Sequence, residues 1–164
     1  MATLCRGETV MNENRPVPRS VVDAFYRAFD SRDADKIGDF LDDDVEWSVF
    51  GPVEIMQVCG QWRGKAAVID RFARVVPKVI EFKRLERECL LVDGDMSAML
   101  GRVVSRHRQT GRIISHRTTH FIRYRNDKVV SVRVISDSLD AAEQFVGHRI
   151  DLGEITGSPD LVAL

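Results

Sequence analysis

From about Val79 to Ser136 the apolar residues recur at every second position, and three turn signals cut the run into four. The turns are Asp93-Gly94-Asp95, Thr110-Gly111 and Asn126-Asp127. The spacing therefore predicts strands over Phe82–Val92, Met96–Arg108, Arg112–Tyr124 and Val129–Ser136, joined as successive antiparallel hairpins. Such a meander holds only when other elements cover its apolar face. The remainder of the chain has to provide that cover.

Upstream, the apolar period is helical. Ser20 is placed to cap a helix carrying Val21, Val22, Phe25, Tyr26 and Phe29. A break at Ser31-Arg32-Asp33 leads to a second helix with Ile37, Phe40 and Leu41 as its apolar stripe. After Asp42-Asp43-Asp44, the alternation of Val45, Trp47 and Val49 reads as a short strand that Gly51-Pro52 ends. Gly60-Gln61-Trp62-Arg63-Gly64 reads as a turn opening a third helix, Lys65 to Val76, stopped by Pro77. A weaker helix is expected from Ser138 to Phe145. Helices followed by a four-strand meander make an α+β layout, with helices packed on one sheet. Residues 1–19 read as a flexible lead-in, 20–146 as the domain and 147–164 as a tail.

Composition narrows the function. The 164 residues carry 24 Lys and Arg against 25 Asp and Glu, so bulk electrostatic attraction to nucleic acid is not expected. Cys5, Cys59 and Cys89 are odd in number and contain no Cys-x-x-Cys pair, which points to a reducing, cytoplasmic setting without a disulfide framework. No apolar run approaches the ~18 residues of a membrane helix. Arg6 is not followed by an apolar core, so no signal peptide is expected. No phosphate-cradling loop, nucleotide fingerprint or Ser-His-Asp spacing is present, and no cofactor is expected.

Strand alternation selects candidate site residues. A two-residue turn at Thr110-Gly111 would oppose His107 to Ile114, Ser105 to His116, Val103 to Thr118 and Gly101 to His120, all on one face. A change of one residue in the loop would flip one strand's face. Imidazoles facing an apolar interior can serve acid–base chemistry near neutral pH, with Ser105 and Thr118 orienting a ligand. Ordinary sheet histidines are the alternative. A metal site is disfavoured, because His116 and His120 lie ~13 Å apart along a regular strand. The opposite face holds Arg102, Arg106, Arg108 and Arg117, and no Asp, Glu or Lys occurs between Gly101 and Tyr124. Arginines so crowded need anions or solvent, so the face reads as a solvated one or as a site for an anionic ligand or nucleic acid, the last disfavoured by the scarcity of aromatic residues between them.

Several segments resemble the SnoaL-like and ketosteroid-isomerase-like branch of the nuclear-transport-factor-2-like superfamily. They are Phe25-Tyr26-Arg27-Ala28-Phe29, Asp42 to Trp47, Gly60-x-Trp62-Arg63-Gly64-Lys65-Ala66-Ala67-Val68, and His120-Phe121-x-x-Tyr124 through Arg133. The resemblance spans roughly residues 20 to 146 and implies a curved antiparallel sheet wrapped by N-terminal helices into a cone around an apolar pocket. It implies a small hydrophobic ligand, a homodimer paired through the outer, arginine-rich sheet face ahead of anion or nucleic-acid binding there, and acid–base chemistry on a cyclic or polyketide-like compound, or a non-catalytic binding or assembly module of the same fold. His120 falls near the family's acidic oxyanion donor. Val49 and Phe25 stand where the isomerases keep a carboxylate and a tyrosine, which argues against steroid isomerisation. Asp137 resembles the acid often found after the last strand of cyclases and related epoxide hydrolases, so His120 and Asp137 are the candidate catalytic pair. Asp137 as a helix cap is the structural alternative. Tyr26, Trp47 and Trp62 complete the candidate pocket, each with core packing as its other reading.

Overall fold

In the computed structural model, which describes residues 15–151, the period-two segments form β3 (Ile80–Asp93), β4 (Met96–His107), β5 (Ile113–Arg125) and β6 (Lys128–Ser136). Two shorter strands, β1 (Leu41–Val49) and β2 (Gly60–Arg63), extend the sheet to the order β2-β1-β6-β5-β4-β3. Most neighbours are antiparallel, but β1 runs parallel to β6, with Trp47 opposite Val132. The sheet is therefore mixed rather than wholly antiparallel. It is also open, with β2 and β3 as its edges, so the cone is not a closed barrel. Bulges between Phe82 and Arg84, Arg87 and Cys89, and Arg123 and Tyr124 break the ladder and bend the strands.

The β4–β5 loop is longer than a two-residue turn. Its strands pair Ser105 with Ile114, Val103 with His116, Gly101 with Thr118 and Met99 with His120, two positions from the expected register. A two-residue offset leaves every side chain on the same face. At Gly101 a Cβ would come within 2.5 Å of the Glu86 carbonyl oxygen and 3.3 Å of the Arg87 Cα, so β3 closes on β4 only over glycine.

Helix α1 (Arg19–Ser31) lays Val22, Phe25, Tyr26 and Phe29 against the concave face. It starts one residue before Ser20 and its N-cap is Pro18, so Ser20 caps nothing. Val17 is buried and donates its backbone N–H to Gly94 at 2.9 Å. The last described part of the expected lead-in is thus tied to the β3–β4 turn, while residues 1–14, and 152–164 of the tail, lie outside the described residues. Helix α2 (Ala34–Gly38) is capped by the Asp33 carboxylate, which accepts from the backbone N–H of Asp35 and Lys36. Phe40 and Leu41 are not in it: Leu41 already starts β1.

The third helical stretch continues past its expected stop. It runs as α3 (Lys65–Asp70), a π-helical turn (Arg71–Val75) and α4 (Val76–Val79). Widening into a π turn leaves Pro77 near the start of a fresh helical turn, where its missing N–H costs no bond. Gly60–Arg63 is a strand rather than a turn, because its extended backbone finds the free edge of β1 and places Trp62 opposite Trp47. Helix α5 (Ser138–Val146) turns back onto β5, where Gln144 accepts from the Ser115 backbone N–H at 2.7 Å and donates to its carbonyl at 2.9 Å.

Candidate functional site

The concave face, α1, the α3–α4 stretch, the segment before β2 and α5 enclose a cavity. It holds about 910 Å³ of atom-free space, its solvent-facing mouth included. Phe29, Trp47, Phe72, Phe82, Val103 and Phe145 are among its apolar walls. The polar groups on the lining are Arg32, Cys59, Arg71, Ser105, His116, Thr118, His120 and Ser136, with the Trp62 indole. No Asp or Glu is on it among the described residues.

Strand alternation sets the polar groups. His116, Thr118 and His120 project from β5 at every second residue, flanked by Val103 and Ser105 on β4 and by Val134 and Ser136 on β6. The Ser136 hydroxyl lies 3.2 Å from that of Thr118. His120 is only 3 % exposed. Tyr26 stacks behind its ring, and Phe29 meets it edge-on with centroids 5.6 Å apart. Burial, reinforced by the positive charges of Arg32 and Arg87, pushes the His120 pKa down to about 3. The imidazole is therefore neutral at physiological pH, one nitrogen a donor and the other an acceptor. His116 is shifted the same way by burial, opposed by the charges of Asp140 and Asp137.

The ten sequence-selected residues divide in two. Trp47, Trp62, Val103, Ser105, His116, Thr118 and His120 share the cavity lining. Tyr26, His107 and Asp137 are not on it. Tyr26 is buried behind His120, its hydroxyl unpaired, and burial raises its pKa. His107 lies beyond Phe145, which packs against its ring at 5.1 Å and walls it off from the cavity; its Nδ1 lies 2.9 Å from the Thr110 hydroxyl. Asp137 is exposed and caps α5, accepting from the Asp140 backbone N–H at 3.4 Å. Its charge is felt by His116, whereas the groups shifting His120 are both arginines. The lining thus takes His120 without Asp137, because Ser136 faces the cavity and the next residue, Asp137, turns its carboxylate to the first turn of α5.

Sequence periodicity missed the arginines. Arg32 follows α1 in the left-handed conformation, φ 58°, and Arg71 sits in the π-helical turn. Arg71 spreads over the Trp62 ring at 4.4 Å and donates to the Gln57 carbonyl. Cys59, whose thiol burial pushes up in pKa, lines the wall near it. The break at Ser31-Arg32-Asp33 was the sequence signal at Arg32, and a break does not say which way its side chain turns.

A SnoaL-like domain model matches residues 22–132, most of the chain and all of the sheet except the last four residues of β6. The chain belongs to the SnoaL-like family. No curated protein matches it. Among solved structures this SnoaL-like chain is similar to a Rhodopseudomonas palustris protein provisionally termed an isomerase, at 28% identity and TM-score 0.67, over 77% of this chain and 93% of that one. An NTF2-like protein from Burkholderia thailandensis shares 23% identity with TM-score 0.67, over 78% and 96%. TerC, co-crystallised with polyporic acid, shares 21% with TM-score 0.66, over 77% and 96%. The last two show the same fold.

On the convex face of this SnoaL-like sheet the arginines expected from the β4–β5 hairpin are joined by acids from β3. Glu86 on β3 lies opposite Arg102, which lies opposite Arg117, and Arg117 approaches Glu88 to 4.0 Å. Beside them Leu91, Leu100, Phe121 and Ile135 are exposed on the neighbouring rows.

Proposed function

We propose that this SnoaL-like protein binds a small, mainly hydrophobic molecule of cyclic or polyketide-like kind in the cavity under α1. The observation that carries this is the lining itself: aromatic and aliphatic walls with a few hydrogen-bonding groups converging from β4, β5 and β6. His120 and His116 would orient a carbonyl or hydroxyl group, with Ser105 and Thr118 as further partners. Differential scanning fluorimetry with neutral aromatic compounds such as 1-naphthol tests it. Wild type should gain melting temperature and His120→Phe should not; equal responses, or none in either, would remove the reading.

A catalytic reading is favoured by one feature, the neutral, buried His120 imidazole on the cavity wall. A neutral imidazole can donate a hydrogen bond to a carbonyl on which charge develops, and the depressed pKa makes it a poor base. Cyclisation, isomerisation, dehydration or epoxide opening by this protein would therefore use His120 as electrophile. The carboxylate-assisted version with Asp137 is set aside, since Asp137 faces solvent.

The same proposal includes a homodimer formed through the convex face. Leu100, Phe121 and Ile135 form an exposed apolar strip bordered by arginines and by the acids of β3, a surface suited to self-pairing. The cytoplasmic setting read from the scattered cysteines belongs to the proposal as well.

A further inference from the structure

We propose that the cavity is built for a small hydrophobic acid, whose carboxylate or equivalent monoanion is received by the guanidinium of Arg32. This deepens the ligand-pocket reading and rests on it.

On the lining, Arg32 leaves two buried donors of its guanidinium without a partner. Its guanidinium is held between aromatic rings, 3.1 Å from the Phe82 centroid and 4.1 Å from that of Phe29. Its Nε and Nη2 are buried and have no hydrogen-bond partner among the described residues. Arg71 also leaves its Nε unpaired, but its Nη2 already donates to the Gln57 carbonyl. Of the acids near it in sequence, Asp33 caps α2 and Asp30 gives its Oδ2 to Arg87 Nη1 at 2.6 Å, leaving its Oδ1 buried and unpaired. Asp30 still acts on Arg32 through space, but no ion pair joins them.

A buried guanidinium without an anion is unfavourable, because aromatic faces replace little of the hydration it has lost. Burial lowers the Arg32 pKa to about 9, so the group remains protonated at neutral pH. Asp30 acts on Arg32 from behind while shared with Arg87, and with no acidic residue on the lining among the described residues the cavity side of the guanidinium has no counter-charge of its own. The fork of N–H donors matches a carboxylate in shape as well as charge. The apolar walls then suit the rest of such a molecule, and the neutral His120 and His116 add no competing charge.

Isothermal titration at pH 7.5 tests this with benzoate, 1-naphthoate and 4-phenylbutanoate, each against its neutral amide. In wild type at least one acid should bind at least about tenfold more tightly than its amide. In Arg32→Met that ratio should fall to within about twofold while amide affinity is kept, and Arg32→Lys should retain part of it. Equal affinity of each acid and its amide in wild type would overturn the assignment while leaving the pocket standing. So would a preference that survives in Arg32→Met. Failure of every acid and amide to bind wild type would overturn the pocket reading and this one together. The wild-type comparison needs no variant, so poor folding of Arg32→Met would not shelter the proposal.

Discussion

The His120 imidazole lies nearly parallel to the Tyr26 ring, with centroids 6.1 Å apart and planes 13° apart. The stack joins the middle of β5 to the first helix and sets one wall of the cavity. It also explains why a histidine on a strand becomes so weak a base. One side of the ring is covered by Tyr26, Phe29 closes on it edge-on, and the nearest charges are positive.

Acid should destabilise the fold through this residue. The unfolded chain takes a proton on His120 below about 6.5, whereas the folded protein refuses it until about 3. Stability is thus complete above the upper value and falls as pH drops through that window, by ~2 kcal/mol at pH 5 for this group alone. Urea denaturation at pH 7 and pH 5 should show wild type losing more stability than His120→Phe. Matching losses would mean that another group, His116 included, carries the acid sensitivity.

Asp137 is a cap. Asp137→Ala should cost ~1 kcal/mol of stability, the usual value of a lost N-cap, and leave ligand-induced shifts in melting temperature unchanged. A loss of ligand response with little change in stability would restore the acid to the binding machinery.

Gly101 is required by contact. In Gly101→Ala the new methyl group meets the β3 backbone, whose carbonyl cannot swing aside as a side-chain end would. A loss of ~2 kcal/mol is expected from the forced separation of β3 and β4. A melting temperature equal to that of wild type would show that the β3 bulge absorbs the methyl group.

The convex strip should control association. Sedimentation velocity at micromolar concentration should give a dimer for wild type and a monomer for Phe121→Glu, which places a charge in the centre of the apolar strip. A wild-type monomer would remove the homodimer.

Legibility followed the range of the interactions. Period-two alternation from Val79 to Ser136 placed four strands, since each residue's side is decided by its own backbone. The β4–β5 pairing was displaced by two positions, yet His116, Thr118 and His120 kept their side because the displacement was even. Gly60–Arg63 was misread because an edge strand of four residues has no period of its own and gains its state from β1. Pro77 was misread as a stop because a π turn upstream let the helix restart around it.

What the amino-acid order determined alone is therefore the local part: the α+β order, the hairpins, and the segregation of histidines from arginines on alternate sides of the sheet. The tertiary structure decided which members of each set meet. It left Asp137 off the lining that holds His120 by using its carboxylate to cap α5, and it put Phe145 between His107 and the cavity. It also turned Arg32, from what read as a mere break between helices, onto the aromatic wall with its donors unpaired. Those outcomes depend on contacts between residues far apart in the chain, and neither period nor propensity carries information about them.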